Sequence, residues 1–263
     1  MKKILSILST SFILSSCEKE IHVDLNSSEP QIVIDGSITD AAGPYYVRIT
    51  KTVNYSESNV YPGVSGATVI ISDNNGITDT LTETSPGIYQ TSTIIGTPGN
   101  TYSLSVSIED KEYYATSTMP LKVNLDSLKF SPTSVPGEED LYSILPVFTD
   151  PPTLGNNYRY LLTINGKLDD SYFVDNDNIG NGLVNKRSLF TQDTDIKLKD
   201  SVKLEMRCID LPSYTYFYTL SQIADGGPGG GTTPTNPPNN ITGDYALGIF
   251  SAYTTQTRTQ IVE

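Results

Sequence analysis

The segment Thr101–Asp110 reads TYSLSVSIED, and it decides the fold class because apolar and polar residues alternate along its whole length. Tyr102, Leu104, Val106 and Ile108 fall on one face of an extended chain, and the serines fall on the other. Alternation with a period of two is typical of a β-strand that has one face in a core and one face in water. We therefore predict a strand in a half-buried sheet.

Similar short segments surround this strand on both sides. Turn residues such as Asp73-Asn74-Asn75-Gly76 and Pro86-Gly87 separate them. The predicted strands are 31–38, 45–53, 67–72, 78–83, 88–93 and 112–118. Short strands at this spacing, with turn residues between them, predict an immunoglobulin-like β-sandwich over residues 31–120.

Residues 121–263 are predicted to form a second β-rich domain with one short helix. Strands are predicted at 123–130, 142–148, 158–165, 171–174, 188–191, 202–209 and 245–253. Aromatic residues recur at helical spacing after Pro212, which predicts a helix up to Ile223. Residues 225–240 are rich in Gly, Pro, Thr and Asn, and are predicted to form a flexible loop. The predicted fold class is therefore all-β.

The amino-terminal end carries the features of an export signal. Lys2 and Lys3 precede a short apolar stretch, which is too short to cross a bilayer as a helix. Leu14-Ser15-Ser16-Cys17 resembles the lipobox of bacterial lipoproteins. We expect 1–16 to be a signal peptide, Cys17 to be lipidated and 17–30 to be a tether. The acidic residues after Cys17 resemble a surface-export signal, although a solvated linker would look the same.

Composition restricts the functions that the chain can have. The net charge of −13 disfavours binding to nucleic acid. The one histidine, His22, lies in the tether, and Cys208 lies in an alternating run that predicts burial. The usual nucleophile and base pairings are therefore missing. We expect a protein that is not an enzyme and needs no cofactor or metal. A hydrolase that uses two of the 30 acidic residues is the alternative from another class.

Two polar or aromatic segments are candidate binding sites. Asp175–Gly182 has oxygen-bearing residues at alternate positions, which suits Ca²⁺, but Ile179 and Lys186 occupy positions where a calcium loop needs oxygen ligands. A hairpin loop explains the same residues. Tyr214, Tyr216 and Tyr218 could bind a ligand or partner through their rings and hydroxyls, although a core position is the stronger explanation for such tyrosines.

A family resemblance rests on motifs along the whole chain. These are the lipobox, Val33-Ile34-Asp35-Gly36, the segment Val64–Asp73, Tyr216-Phe217-Tyr218 and Gly248–Tyr253. The chain resembles Bacteroidota outer-membrane lipoproteins known as domain-of-unknown-function family 4249. Its first domain resembles a transthyretin or carboxypeptidase-regulatory sandwich.

The resemblance implies an outer-membrane location and partnership with TonB-dependent transporters, and it supplies no catalytic residues. We therefore expect a lipid-anchored binding or accessory subunit. Because the Gly/Pro-rich loop 225–240 is long for a compact domain, it is a candidate partner contact, with a passive connector as the alternative. A structural envelope protein remains a third possibility. The sequence does not specify the ligand, the leaflet or the oligomeric state.

Overall fold

A computed structural model describes residues 29–54, 57–133, 141–191, 194–225 and 236–263. Strands dominate these residues and one helix accompanies them, so the predicted all-β class is confirmed. The signal peptide, Cys17 and most of both the tether and the Gly/Pro-rich loop lie outside the described residues. Among the described residues, no helix is long and apolar enough to cross a bilayer.

The first half of the chain forms a β-sandwich. Its strands are β1 (Ile32–Thr39), β2 (Tyr46–Lys51), β3 (Thr68–Asp73), β4 (Thr78–Thr80), β5 (Thr82–Ser85), β6 (Ile88–Gln90), β7 (Thr101–Ile108) and β8 (Lys111–Thr118). The four apolar residues predicted to share one face of β7 are all buried in its core. They pack with residues of β1 and β2, including Ile34, Val47 and Ile49. The hydrophobic alternation therefore placed this core correctly.

The second half contains a second core and the helix. Its elements are β9 (Ser127–Pro132), β10 (Tyr142–Val147), β11 (Asn157–Ile164), β12 (Lys167–Leu168), β13 (Phe173–Asn176), β14 (Ser201–Ile209), α1 (Leu211–Asp225), β15 (Ile241–Gly243) and β16 (Ala246–Ile261). The even-numbered residues of β11 and β14, with Cys208 among them, face this core. The strand predicted at 188–191 is reduced to one bridge between Leu189 and Ile144 among the described residues.

Strand β16 connects the two cores. Its first half, Ala246 to Tyr253, pairs in parallel with β1, and its second half, Thr254 to Ile261, pairs antiparallel with β14. Strand β15 pairs with β8 of the first sandwich. Residues 241–253 thus belong to the first sandwich by pairing, whereas sequence analysis grouped everything after residue 120 together. The pairing is long-range, so local patterns do not contain it.

Helix α1 lies on the outer face of the joined sheet. The helix begins after Asp210, whose carboxylate accepts a hydrogen bond from the amide of Ser213 at 3.0 Å, as an N-cap does. The hydroxyl of Ser117 donates to the other oxygen of the same carboxylate at 2.6 Å, which ties the start of the helix to β8. Phe217 packs on Ile249 and Tyr253 of β16. The predicted helix, 212–223, agrees with the observed bounds within two residues at each end.

Candidate functional site

A polar recess opens where helix α1 crosses the outer face of the sheet. Strands β1, β11, β14 and β16 form its floor, and Phe217 of the helix forms part of its wall. Its volume is about 280 Å³. The lining residues are Asp35, Gly36, Ser37, Arg159, Arg207, Ile209, Phe217, Ile249, Ser251 and Tyr253. We call this feature the arginine recess, because two guanidinium groups set its chemistry.

Arg159 and Arg207 face each other across neighbouring strands. They are direct partners in the register of β11 and β14. Like charges placed directly opposite each other destabilise a sheet, so this pair carries a cost unless an anion lies between or beside them. Burial, and next the charge of Arg207, lower the pKa of Arg159 to about 10, which leaves it cationic at neutral pH. The recess therefore presents concentrated positive charge in a chain of net charge −13.

Aromatic rings hold both guanidinium groups in place. The guanidinium carbon of Arg159 lies 3.6 Å from the ring centre of Phe217, and that of Arg207 lies 4.4 Å from the ring centre of Tyr253. Stacking of this kind orients the planar group and leaves its edge donors available. The two arginines are therefore orientated before any ligand arrives.

The two arginines differ in their carboxylate partners. Nε of Arg207 lies 2.6 Å from Oε1 of Glu205, and that oxygen also accepts a hydrogen bond from the hydroxyl of Thr255 at 3.1 Å. Arg159 forms no ion pair or side-chain hydrogen bond with another described residue. The N–H donors of Arg159, unlike Nε of Arg207, are therefore available to a ligand.

Asp35 is the one carboxylate among the residues that line the arginine recess. It lies opposite Arg48 in the pairing of β1 with β2. Its side chain reaches solvent, while protein surrounds it on the other sides, as expected at the floor of an open hollow. Burial raises the pKa of Asp35 above its ordinary value, although the charges of Arg48, Arg159 and Arg207 act to lower it.

The three predicted tyrosines do not form one surface. Tyr214 and Tyr218 stack with ring centres 5.7 Å apart, and the hydroxyl of Tyr214 accepts a hydrogen bond from the side-chain amide of Asn176 at 2.8 Å. Tyr216 packs edge-on against Phe217, with ring centres 5.3 Å apart. Because Phe217 lines the arginine recess, Tyr216 lies beside it. Burial raises the pKa of Tyr216, and the charge of Asp35 raises it as well. Of the three, only Tyr218 is largely exposed.

The loop Asp175–Gly182 uses its carboxylates to hold the fold. Asp175 forms an ion pair with Arg187. One oxygen of Asp177 accepts hydrogen bonds from the amides of Gly155 at 2.7 Å and Asn156 at 2.9 Å. The described residues contain no group of three or more His, Cys, Asp or Glu side chains that could hold a metal ion. These contacts are those of a structural loop. The predicted hairpin is not observed, because β13 before the loop pairs with β11, whereas Val184 after the loop bridges Thr149.

Sequence analysis missed Arg159 and Arg207. Each lies at an outward position of a predicted strand, where an arginine is ordinary. The available signal was that each arginine stands between large buried residues, in the segments YRYLL and MRCI. Both arginines therefore project from the same outer face of the sheet. Only the register of β11 against β14 shows that they oppose each other.

Comparison with known proteins gives a family without an assigned activity. No curated protein was found to match the chain. A protein-family description, "Domain of unknown function (DUF4249)", matches residues 18–259 and so includes every residue that lines the arginine recess. The chain belongs to the DUF4249 family.

Proposed function

We propose that this chain is a binding protein without catalytic activity, held at the outer membrane by lipid on Cys17. The arginine recess is the observation that carries the proposal. It is a concave, largely polar recess in which two orientated guanidinium groups lie beside a smaller apolar surface, and a few precisely placed polar groups are what orient a bound ligand. Its lining contains no cysteine, histidine or lysine, and its two serines include Ser251, whose hydroxyl is hydrogen-bonded to that of Ser213 at 2.8 Å. The lining thus offers recognition rather than a nucleophile with its base.

The membrane location rests on the sequence around Cys17. Leu14-Ser15-Ser16-Cys17 matches the lipobox pattern, and the family match begins at the next residue, 18. Lipidation with two or more acyl chains would anchor the protein stably. We further propose that the chain is of the Bacteroidota type, that its first sandwich is transthyretin-like, and that it serves as an accessory of a TonB-dependent transporter.

One observation favours a hydrolase as a second candidate. The pKa of Asp35 is raised by burial, and Glu205 forms an ion pair with Arg207, so two acids near one site differ in environment. However, Glu205 is not among the residues that line the arginine recess. A hydrolytic pair needs both carboxyl groups to face the substrate. Binding is therefore the function that the geometry supports better.

Membrane fractionation tests the anchor. We expect the wild-type chain to sediment with outer membranes and the Cys17→Ala variant to remain unprocessed or soluble. Cys208→Ala is the matched control, because Cys208 is the only other cysteine and is buried in the second core. Normal processing and sedimentation of Cys17→Ala would contradict the lipoprotein proposal.

Affinity purification from detergent-solubilised outer membranes tests the accessory role. We expect a TonB-dependent transporter to co-purify with the wild-type chain, and deletion of Gly226–Pro237 to remove it while leaving the far-UV circular dichroism spectrum unchanged. Shortening a passive loop costs little, about 0.6 kcal/mol per twofold change in length, so a folded variant is expected. Co-purification that survives the deletion would make the loop a connector. Turnover of a peptide or glycan that Asp35→Asn abolishes would favour the hydrolase.

A further inference from the structure

We propose that the arginine recess binds a small organic monocarboxylate, whose carboxylate is held by Arg159 and Arg207 and whose apolar body lies against Phe217 and Ile249. The inference rests on the proposed binding function and names its ligand class. It uses no residue of the tether or of the Gly/Pro-rich loop.

The first argument is the cost of placing two guanidinium groups opposite each other. They are direct partners in the register of β11 and β14, and Glu205 pairs with Arg207 alone, so the charge of Arg159 is left without a carboxylate partner among the described residues. Arg159 has a ring on one face. A carboxylate that contacts both groups would remove the repulsion and use the fork geometry that guanidinium groups present to planar oxyanions.

The second argument is the balance of charge around the recess. Asp35, Arg159 and Arg207 line the same recess, and Arg48 lies opposite Asp35 in the pairing of β1 with β2. Glu205 is the other nearby carboxylate, paired with Arg207. Three guanidinium groups against two carboxylates leave one positive charge, and a single carboxylate neutralises it. A phosphate dianion would leave the same site with excess negative charge next to Asp35, so the recess favours the monoanion.

The third argument is the nature and size of the walls. Ile209, Phe217 and Ile249 line the recess and are at most 9% exposed, so they present a small apolar surface beside the arginines. The volume of about 280 Å³ lies near the lower end of ligand pockets, which favours a compact ligand over a polymer. An aromatic or branched aliphatic acid meets both conditions.

Calorimetric titration of the full chain with benzoate, benzamide and inorganic phosphate tests the proposal. Benzamide has nearly the shape of benzoate without its charge, and phosphate is an oxyanion without the apolar body. We expect benzoate to bind at least about tenfold more tightly than either, because charge-assisted contacts to arginine supply the difference. Equal affinity for benzoate and benzamide in the wild-type protein, or no detectable benzoate binding, would overturn the proposal.

Two variants locate the site. Arg159→Met keeps an unbranched side chain against Phe217 and should weaken benzoate binding by about tenfold or more. Arg258→Met is the matched control, since Arg258 is exposed on β16 and its loss changes the net charge by the same amount. Benzoate affinity that falls equally in both variants would show a general charge effect and overturn the assignment.

A third variant tests the charge balance. Asp35→Asn removes the carboxylate that competes for the arginines, so benzoate should bind more tightly and phosphate binding should gain more than benzoate binding. Weaker benzoate binding in this variant would contradict the arrangement. The result is independent of the transporter test, because a chain that binds benzoate without co-purifying a transporter would retain the ligand site and lose only the accessory role.

Discussion

Asp79 and the arginine recess are two polar sites in the same structure, and they differ in how completely the protein satisfies them. Asp79 is 2% exposed, and its carboxylate accepts hydrogen bonds from the amides of Ser92, Thr93 and Ile94 at 2.6 to 2.9 Å. The hydroxyl of Ser92 adds a fourth bond at 2.9 Å. Arg159, in the recess, has an aromatic ring and no carboxylate partner among the described residues.

The contrast shows how to separate a polar group that serves the fold from one that serves a ligand. Burial alone would raise the pKa of Asp79, but its hydrogen bonds outweigh burial and lower it. Burial also acts on Asp35 in the recess, where no hydrogen bonds from described residues compensate, and its pKa is raised. Two aspartates of one sandwich therefore shift in opposite directions, because one is fully satisfied and the other faces an open site.

The largest expected effect on the free energy of unfolding comes from replacing the carboxylate of Asp79. Asp79→Asn should lower the free energy of unfolding by about 3 kcal/mol at pH 7. The three amides all donate to Oδ2 of Asp79, a neutral amide oxygen accepts hydrogen bonds less strongly than a charged carboxylate oxygen, and the amide nitrogen brings a donor of its own. Because the pKa of Asp79 is lower in the folded protein, its contribution is complete above its ordinary value of 3.8 and is lost as the pH falls through the folded value. Equilibrium urea unfolding at several pH values measures this change.

Asp110→Asn is the control for that measurement, since Asp110 is exposed in the turn after β7. Its effect should stay within about 0.5 kcal/mol. If Asp79→Asn lowers the free energy of unfolding by the same amount at pH 3 and at pH 7, the charge of Asp79 is not what stabilises the loop 92–94.

An intermediate effect is expected for Arg207. Arg207→Met leaves the carboxylate of Glu205, whose side chain is only 26% exposed, without its guanidinium partner. We expect a loss of about 1 kcal/mol in the free energy of unfolding, whereas Arg159→Met should cause little loss because it leaves no carboxylate unpaired. Urea unfolding of the two variants, side by side and without added anions, measures the difference.

Equal losses in Arg207→Met and Arg159→Met would erase the distinction between a partnered and an unpartnered arginine. Arg258→Met serves again as the exposed control, and it should be nearly neutral.

The smallest expected effect is a gain at Asp35. Asp35→Asn should raise the free energy of unfolding at pH 7 by less than about 1 kcal/mol, because solvent screens an exposed group. Since the pKa of Asp35 is higher in the folded protein, its ionisation costs stability as the pH rises from its ordinary value of 3.8 through the folded value. The gain should therefore be complete above that window and absent below pH 3.8. Thermal unfolding in low-salt buffer measures it.

A loss of stability in Asp35→Asn at neutral pH would show that Asp35 is a paired structural carboxylate like Asp79. The comparison between the two aspartates would then fail.

Local sequence was sufficient for much of the fold. The predicted strand Thr101–Asp110 and the observed β7, Thr101–Ile108, differ only at the end, because alternation specifies a half-buried strand locally. Helix α1 was predicted for a similar reason, since its aromatic residues recur with helical spacing. The course of β16 was not predicted beyond Tyr253, because residues 254–260 are polar and are organised by pairing with β14.

The candidate site was not predictable from local sequence. Arg159 and Arg207 are 48 residues apart in the chain, so only the register of two distant strands brings them together. Their side chains project outward, where hydrophobic periodicity carries no information. The tyrosines attracted notice by clustering in sequence, yet only Tyr216 lies beside the arginine recess. Their predicted role in binding stays a prediction.

Strand β16 has a consequence for how fast the recess can respond to its ligand. Asp35 lies in the first sandwich, and Arg159 lies on a strand of the second core. Strand β16 pairs with β1 over eight residues and with β14 over eight further residues. A backbone shared in this way leaves no hinge between the two walls, so the recess should admit its ligand without domain closure. The association rate would then depend on diffusion and on local electrostatic attraction. Differences in affinity between ligands would appear mainly in their dissociation rates.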